Sequence, residues 1–298
     1  MAAAVIRKAV VPMAGLGTRL FPASQACKKE LFPVVGPDGL ARALFHYHLI
    51  ELDAAGIEEV CFIVQPGDQA IVRAYLDGPD DAYLKRLAGH PELAREAGEM
   101  RRLAARVQFV EQAAQEGYGH AVFQTRAFAA GSPVLLCLGD HLFRGARTSP
   151  YRALAEIGAA AQGRSVSAVN RIGPDELKGY GTIAGARRAS DRRLIDVSLI
   201  IEKPDIVTAR ARLRVDDLPA DTWLGWLGLH VLGPGLYDVL DQMIRDDVRD
   251  RGEFQLTHAQ ELQRQREGYL AVELDGVVRF DFGTPDDFVR SLIAFRGR

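Results

Sequence analysis

An apolar, strand-like run over residues 8–14 ends directly in Ala14-Gly15-Leu16-Gly17-Thr18-Arg19, and this junction constrains the fold more than any other feature of the chain. A buried strand that stops at a glycine-rich loop belongs to open α/β sheets, where ligands gather beyond the carboxyl ends of the strands. Gly15 and Gly17 lack Cβ atoms and can bring backbone N–H groups close to a phosphate chain, and Arg19 supplies a permanent cation. A dinucleotide fingerprint needs a further glycine at position 20, which is Leu20, and a P-loop needs Gly-Lys-Ser/Thr, which is absent. A GxG of this kind taken alone is at least as well explained by a structural turn.

Beyond the loop the chain keeps a strand–helix rhythm. Helical periodicity is expected over 40–55 and 68–76, and strands over 59–65, 106–111 and 133–138, with a helix over 119–128. This order predicts a Rossmann-like, mostly parallel sheet flanked by helices on both faces. Residues 78–104, rich in Arg, Glu, Asp and Ala with leucines at helical spacing, read as a surface helical insertion whose charges form a solvated face. After residue 145 the pattern turns β-rich: strands are expected over 164–171, 182–186, 194–202, 223–232 and 269–273, with Asp275-Gly276 as a turn signal. Helices are expected over 150–161, 234–245, 254–267 and 285–295. No internal repeat or linker divides the 298 residues, so a single domain with excursions is expected.

Charge decides how anions can be held. With 37 basic and 39 acidic side chains the formal net charge is −2, so no general positive field draws nucleic acid or an anionic membrane surface, and any phosphate must be held locally. No stretch reaches the roughly 20 apolar residues of a membrane span, and the first residues run into a strand without a signal-peptide pattern. The three cysteines are not closely paired, and Cys61 and Cys137 lie in apolar β-branched runs, as buried thiols in a reducing compartment do. A cytoplasmic protein is expected.

A second basic element, Lys28-Lys29-Glu30-Leu31-Phe32-Pro33-Val34-Val35, arrives ten residues after Arg19, near enough to fold back toward the same anion. GxGTRxxP followed by KELxPV resembles the signature of the sugar nucleotidyltransferases, and AGLGTR is similar to the bacterial UTP-glucose-1-phosphate uridylyltransferases within that superfamily. The resemblance continues in order along the chain. Glu111-Gln112 with Gly117-Tyr118-Gly119-His120-Ala121-Val122 resembles the family's base-binding segment, Gly139-Asp140 its metal-binding aspartate, and Asp281-Phe282-Gly283-Thr284-Pro285 its DxGTP element. Gly179-Tyr180-Gly181-Thr182 and Glu202-Lys203-Pro204 resemble its YG and EKP elements.

The resemblance implies a nucleotidyltransferase fold of the GT-A type. Its nucleotide-binding half would span about 1–145 and its sugar-binding half about 146–298, with the helical insertion at about 78–104. It implies transfer of a nucleotidyl group, UMP from UTP as the first expectation, to a sugar 1-phosphate, glucose 1-phosphate first, with release of pyrophosphate. Ala14, Gly15, Gly17, Thr18 and Arg19 would hold the triphosphate and Lys29 the α-phosphate. Gln112 would read the base, with Gly117 allowing its close approach. Asp140 and Asp281 would bind Mg²⁺, while Gly181, Glu202 and Lys203 would take the sugar phosphate. A homo-oligomer is also implied.

Several positions depart from the pattern. Ser24-Gln25 replaces a Thr-Lys, so a cation near the triphosphate is missing, and Lys28 is the candidate replacement. His141 stands where an apolar or acidic residue is usual, and His258 where an aspartate is. The alternatives are the same reaction with another base or sugar, a glycosyltransferase, which would normally show Asp-x-Asp where this chain has Asp140-His141-Leu142, and a noncatalytic paralogue that binds nucleotide or sugar phosphate.

Overall fold

Strand Lys8–Pro12 takes its place in the sheet because both of its faces are apolar. In the computed structural model, which describes residues 5–274 and 276–297, it pairs in parallel with Glu59–Val64 on one side and Val134–Cys137 on the other. Its side chains alternate between two cores. Ala9 and Val11 join Phe62, Val64, Leu135 and Cys137 under the helix Leu44–Ala54, whose Phe45, Leu49 and Leu52 fill that layer. Val10 joins Cys61, Ile63 and Leu136 against the opposite layer, built on Ala121, Leu236, Leu240 and Leu256. Burial on both faces is why these strands read as unbroken hydrophobic runs.

The main sheet has nine strands in the order Val107–Glu111, Glu59–Val64, Lys8–Pro12, Val134–Cys137, Trp223–Leu232, Val166–Ile172, Leu270–Glu273, Leu194–Glu202 and Gly181–Arg187. The first four run parallel; Trp223–Leu232 then reverses the direction. The far edge curls back, since Gly181–Arg187 pairs antiparallel with Leu194–Glu202 and again with Leu224 and Gly225. The β-rich second half is thus a rolled extension of the same sheet. Inside the roll lies a polar knot: the Ser167 hydroxyl sits 2.6 Å from His230 Nδ1 and 2.7 Å from the Tyr269 hydroxyl, and Gln260 donates to Tyr269 at 2.9 Å.

Several expectations need adjustment. Residues 41–43 are a strand paired with Pro33–Val35, and the helix begins only at Leu44. The helix expected over 119–128 is two short ones, Tyr118–Phe123 and Arg126–Ala129. The 78–104 segment forms helices Asp81–Arg86 and Pro91–Ala104, but its charges are not all solvated. Glu96 grips buried Arg42 from Oε2 at 2.7 Å, and Arg102 reaches Asp53 at 2.6 Å. Asp275 of the turn signal lies outside the described residues. An unforeseen ribbon pairs His141–Arg144 with Val278–Asp281. All three cysteines are free, Cys27 exposed and the other two buried, where loss of hydration pushes the Cys61 thiol up to about 12. No helix among the described residues is long and apolar enough to cross a membrane.

Three imidazoles are buried in the neutral form. Loss of hydration lowers His46 and His48 to about 4 and His230 to about 3. As pH falls below 6.5 the unfolded chain takes up protons at these sites before the folded one does, so stability drops. Glu30 acts in the opposite sense: burial lifts it to about 7, so the folded state gains its proton first. The net expectation between pH 7 and 5.5 is a loss on the order of 2 kcal/mol, or about 3 °C in Tm. Thermal melts at the two pH values check this. Glu30→Gln removes the offset and should enlarge the drop, whereas equal melts for both proteins would contradict neutral burial.

Candidate active site

The glycine loop turns where strand Lys8–Pro12 ends. Gly17 adopts φ 66°, and a Cβ there would crowd Ser24 at 3.1 Å, so both backbone angle and space call for glycine. Gly15 faces open space. A short turn of helix, Thr18–Leu20, points the half-exposed Arg19 back over the strand ends. Lys28 reaches Asp68 at 2.8 Å and the Gly15 carbonyl at 3.3 Å, while Gln65 donates to the Ala14 carbonyl at 2.7 Å. Lys28 therefore braces the loop, with its charge matched by Asp68. It is not the free replacement cation that the sequence suggested.

Next to the loop, strand Val134–Cys137 delivers Asp140. A Cβ on Gly139 would lie 2.2 Å from the Pro12 carbonyl oxygen, so only glycine lets this turn press against the end of the neighbouring strand. Asp140 is 9% exposed. Burial alone would raise its carboxyl, but His141, Lys29 and Arg19 outweigh burial and hold it well below the usual range. Lys29 Nζ sits 2.5 Å and Arg19 Nη2 3.8 Å from Asp140 Oδ2. Burial likewise works against the Lys29 charge, yet Asp140 and Glu30 overcome it and raise the ammonium. Glu30, 3.7 Å from Lys29, is a buried member of this group to which the sequence motif alone assigns no role.

The ribbon brings in the third acidic element. Its register sets Asp281 opposite His141, and Phe282 N–H donates to the Asp140 carbonyl at 2.9 Å. Asp281 Oδ1 accepts from Gly283 N–H at 2.8 Å, and Oδ2 lies 3.1 Å from His141 Nε2. A ligand atom from each of Asp140, His141 and Asp281 falls within 4.8 Å of the others, a donor set suited to a divalent cation. Gly283 is another motif residue whose part is visible only in the fold. A Cβ on it would stand 2.9 Å from Arg19 Nη2 and 3.0 Å from both Asp140 Oδ2 and Asp281 Oδ1.

Gln112 is buried on the other side of the loop. Its amide nitrogen donates to the Gly117 carbonyl at 3.1 Å, while His120 Nδ1 lies 3.1 Å from the Ala114 carbonyl oxygen, so the segment 112–120 is folded on itself. Gly117, at φ 112°, has a reason for being glycine other than room for a base: a Cβ there would meet Glu253 Cβ at 2.8 Å and the Phe254 carbonyl oxygen at 2.9 Å. Gly119 is pinned likewise, its N–H donating to the Phe254 carbonyl at 2.7 Å. The glycines thus seat the segment on residues 253–255.

In the second half, Glu202 pairs with Gly181 across the rolled edge. A Cβ on Gly181 would lie 2.6 Å from the Trp226 ring and 3.1 Å from Glu202 Oε2, so this glycine makes room for Trp226. Trp226 Nε1 and the Tyr118 hydroxyl are buried donors with no protein partner among the described residues. The sequence marks neither as a site residue, although Tyr118 lies between the two glycines of the base-binding segment. Lys203 sits at φ 45°, its ammonium 3.5 Å from Glu202 and half exposed. Arg279, two residues before Asp281, ties the ribbon to the rolled edge of the main sheet. Its guanidinium stacks 4.7 Å from the Tyr180 ring centroid and bonds that hydroxyl.

The chain matches the family model described as nucleotidyl transferase over residues 8–294, and it belongs to that family. It is 28% identical to UTP–glucose-1-phosphate uridylyltransferase 1 of Staphylococcus saprophyticus over 97% of this chain and 92% of that protein. It is also 28% identical to the UTP–glucose-1-phosphate uridylyltransferase of Mycoplasma pneumoniae, over 96% and 91%. Among solved structures, a UDP-glucose pyrophosphorylase complexed with UDP-glucose superposes with a TM-score of 0.76 at 22% identity, covering 97% of this chain and 98% of that one. The UDP-glucose pyrophosphorylase from Acinetobacter baumannii gives 0.77 at 23% identity over 97% and 92%. The fold is therefore that of these enzymes.

Because buried Gly283 faces the ends of three charged side chains and not backbone, Gly283→Ala should leave Tm within about 3 °C and lower nucleotidyl transfer about tenfold or more. Melting and turnover measured on the same preparation check this; full activity would show that the packing of Arg19 against Asp140 and Asp281 does not matter.

Proposed function

We propose that the chain transfers UMP from UTP to glucose 1-phosphate, giving UDP-glucose and pyrophosphate, with Mg²⁺ as the metal. The observation that carries this reading is the convergence of Arg19, Lys29, Asp140 and Asp281 at the carboxyl ends of adjacent parallel strands, beside a glycine loop whose Gly15 faces open space. The uridylyltransferase names of the relatives support the choice of UTP and glucose.

On this reading the loop N–H groups of residues 15–18 and the Arg19 guanidinium hold the triphosphate, while Lys29 presents its ammonium to the α-phosphate. Asp140 and Asp281 would hold the cation, which when bound neutralises charge on the reacting phosphates. Gln112 uses its amide N–H on Gly117, which leaves its carbonyl oxygen as an acceptor for the ring N–H of uracil. Cytosine has no hydrogen at that ring position. Lys203 pairs with the phosphate of the sugar and Glu202 accepts from its hydroxyls. A phosphate oxygen of the sugar 1-phosphate attacks the α-phosphorus, the bond to the bridging oxygen breaks, and pyrophosphate leaves. No enzyme nucleophile is needed, because positioning and charge neutralisation supply the acceleration.

Pyrophosphate release over a matrix of nucleoside triphosphates and sugar 1-phosphates, with Mg²⁺ present, tests the proposal. UTP with glucose 1-phosphate should be fastest and dTTP should exceed CTP. Asp140→Asn and Lys203→Ala should each cut turnover by roughly 100-fold or more with the fold retained. Release in no combination would favour a protein that only binds these compounds, and an active Asp140→Asn enzyme would overturn the metal assignment.

A further inference from the structure

The imidazole of His141 is built into the acidic cluster and does not merely neighbour it. Its strand pairs it with Asp281, and its ring lies edge-on to Phe143 with centroids 6.2 Å apart. The Nδ1 edge is buried against Gly228, where a Cβ would stand 3.2 Å away, and has no hydrogen-bond partner among the described residues. The ring packs between Gly228 and Phe143 with Nε2 toward the carboxylates.

Each carboxylate is also used asymmetrically. Asp140 commits Oδ2 to Lys29 and Arg19, and Asp281 commits Oδ1 to Gly283 N–H. The remaining oxygens, Asp140 Oδ1 and Asp281 Oδ2, lie 4.0 and 3.1 Å from His141 Nε2. Adjacent ligands of a cation at about 2.1 Å stand roughly 3 Å apart, so the Asp281–His141 edge already has that spacing and Asp140 needs only a small approach.

We propose that His141 Nε2 is a third protein ligand of the metal, completing a set of two carboxylates and one imidazole that still takes Mg²⁺ but binds the later first-row divalent ions more tightly. The proposal rests on the reading of Asp140 and Asp281 as the metal-holding pair. An imidazole nitrogen is a softer donor than carboxylate or water. It favours Mn²⁺ weakly and Co²⁺ more strongly over Mg²⁺, following ligand softness and the order of stability along the series.

Mn²⁺ binding to the intact enzyme, with and without UTP, followed by electron paramagnetic resonance provides the test. Wild type should show ¹⁴N coupling from one directly bound imidazole, and Co²⁺ should displace Mn²⁺ while Mg²⁺ competes poorly. His141→Asn, which keeps a polar side chain beside Asp281, should lose the coupling. It should also lose about tenfold in affinity for Co²⁺ while holding Mg²⁺ within about threefold. Asp281→Asn should weaken all three ions. Bound Mn²⁺ without ¹⁴N coupling in wild type, an unchanged Co²⁺ to Mg²⁺ ratio in His141→Asn, or no saturable Mn²⁺ binding in either state would overturn the proposal. Pyrophosphate release is scored separately: release without coupling removes only this ligand, whereas coupling without release keeps the ligand and removes the proposed reaction.

Discussion

A nearly buried carboxylate at the end of a parallel strand cannot remain charged unless the chain surrounds it with cations. Asp140 imposes that condition here. Meeting it brings together segments that are remote in sequence: Arg19 comes from the glycine loop and Lys29 from the turn after it. Two glycines make the assembly possible. Gly139 lets the Asp140 turn touch the Pro12 carbonyl, and Gly283 lets Asp281 stand beside Arg19 without displacing it. The fold of the first half can be understood as the means of holding these groups at one place.

The second half places polar groups on a surface that is otherwise β-sheet. Rolling the sheet back on itself puts Gly181, Glu202 and Trp226 in contact, with Trp226 Nε1 left without a protein partner among the described residues. Tyr118, also unpartnered at its hydroxyl, lies near enough to feel both Asp140 and Tyr269 electrostatically, so it stands between the two halves. Arg279 ties the ribbon to the rolled edge through Tyr180. Buried donors of this kind are costly unless something accepts from them, which fits a crevice that receives a hydroxylated ligand.

The strand ends and the glycine loop are legible in the sequence because hydrophobic runs and glycine spacing are local signals. Asp140 can be placed at a strand terminus for the same reason. Asp281 can be named only through the resemblance to a family, since the ribbon that sets it opposite His141 joins two four-residue strands far apart in the chain, and nothing in either predicts the register. The same limit applies to Gly117: its neighbour Phe254 is brought back by the fold, so the backbone packing that calls for glycine there cannot be read from the sequence. Lys28 misleads for a third reason. A basic residue near a phosphate loop reads as a phosphate ligand until the position of Asp68 is known.

The charge balance of the site bears on how a polyphosphate can enter it. Lys29 and Arg19 supply two positive charges, Asp140 and Asp281 two negative ones, and Glu30, lifted by burial to about 7, a partial third. A triphosphate placed there meets cations already neutralised by neighbouring carboxylates, so the protein alone offers little net attraction. Two changes remove the difficulty together. On the proposed reading, a divalent ion held by Asp140 and Asp281 would turn those carboxylates from repelling groups into ligands and would leave Lys29 and Arg19 available to phosphate oxygens. Lys29 clasps Asp140 at 2.5 Å, so on the proposed reading metal and nucleotide would compete jointly with this ion pair. Affinity for either should accordingly depend on the presence of the other, because each removes the charge that opposes its partner.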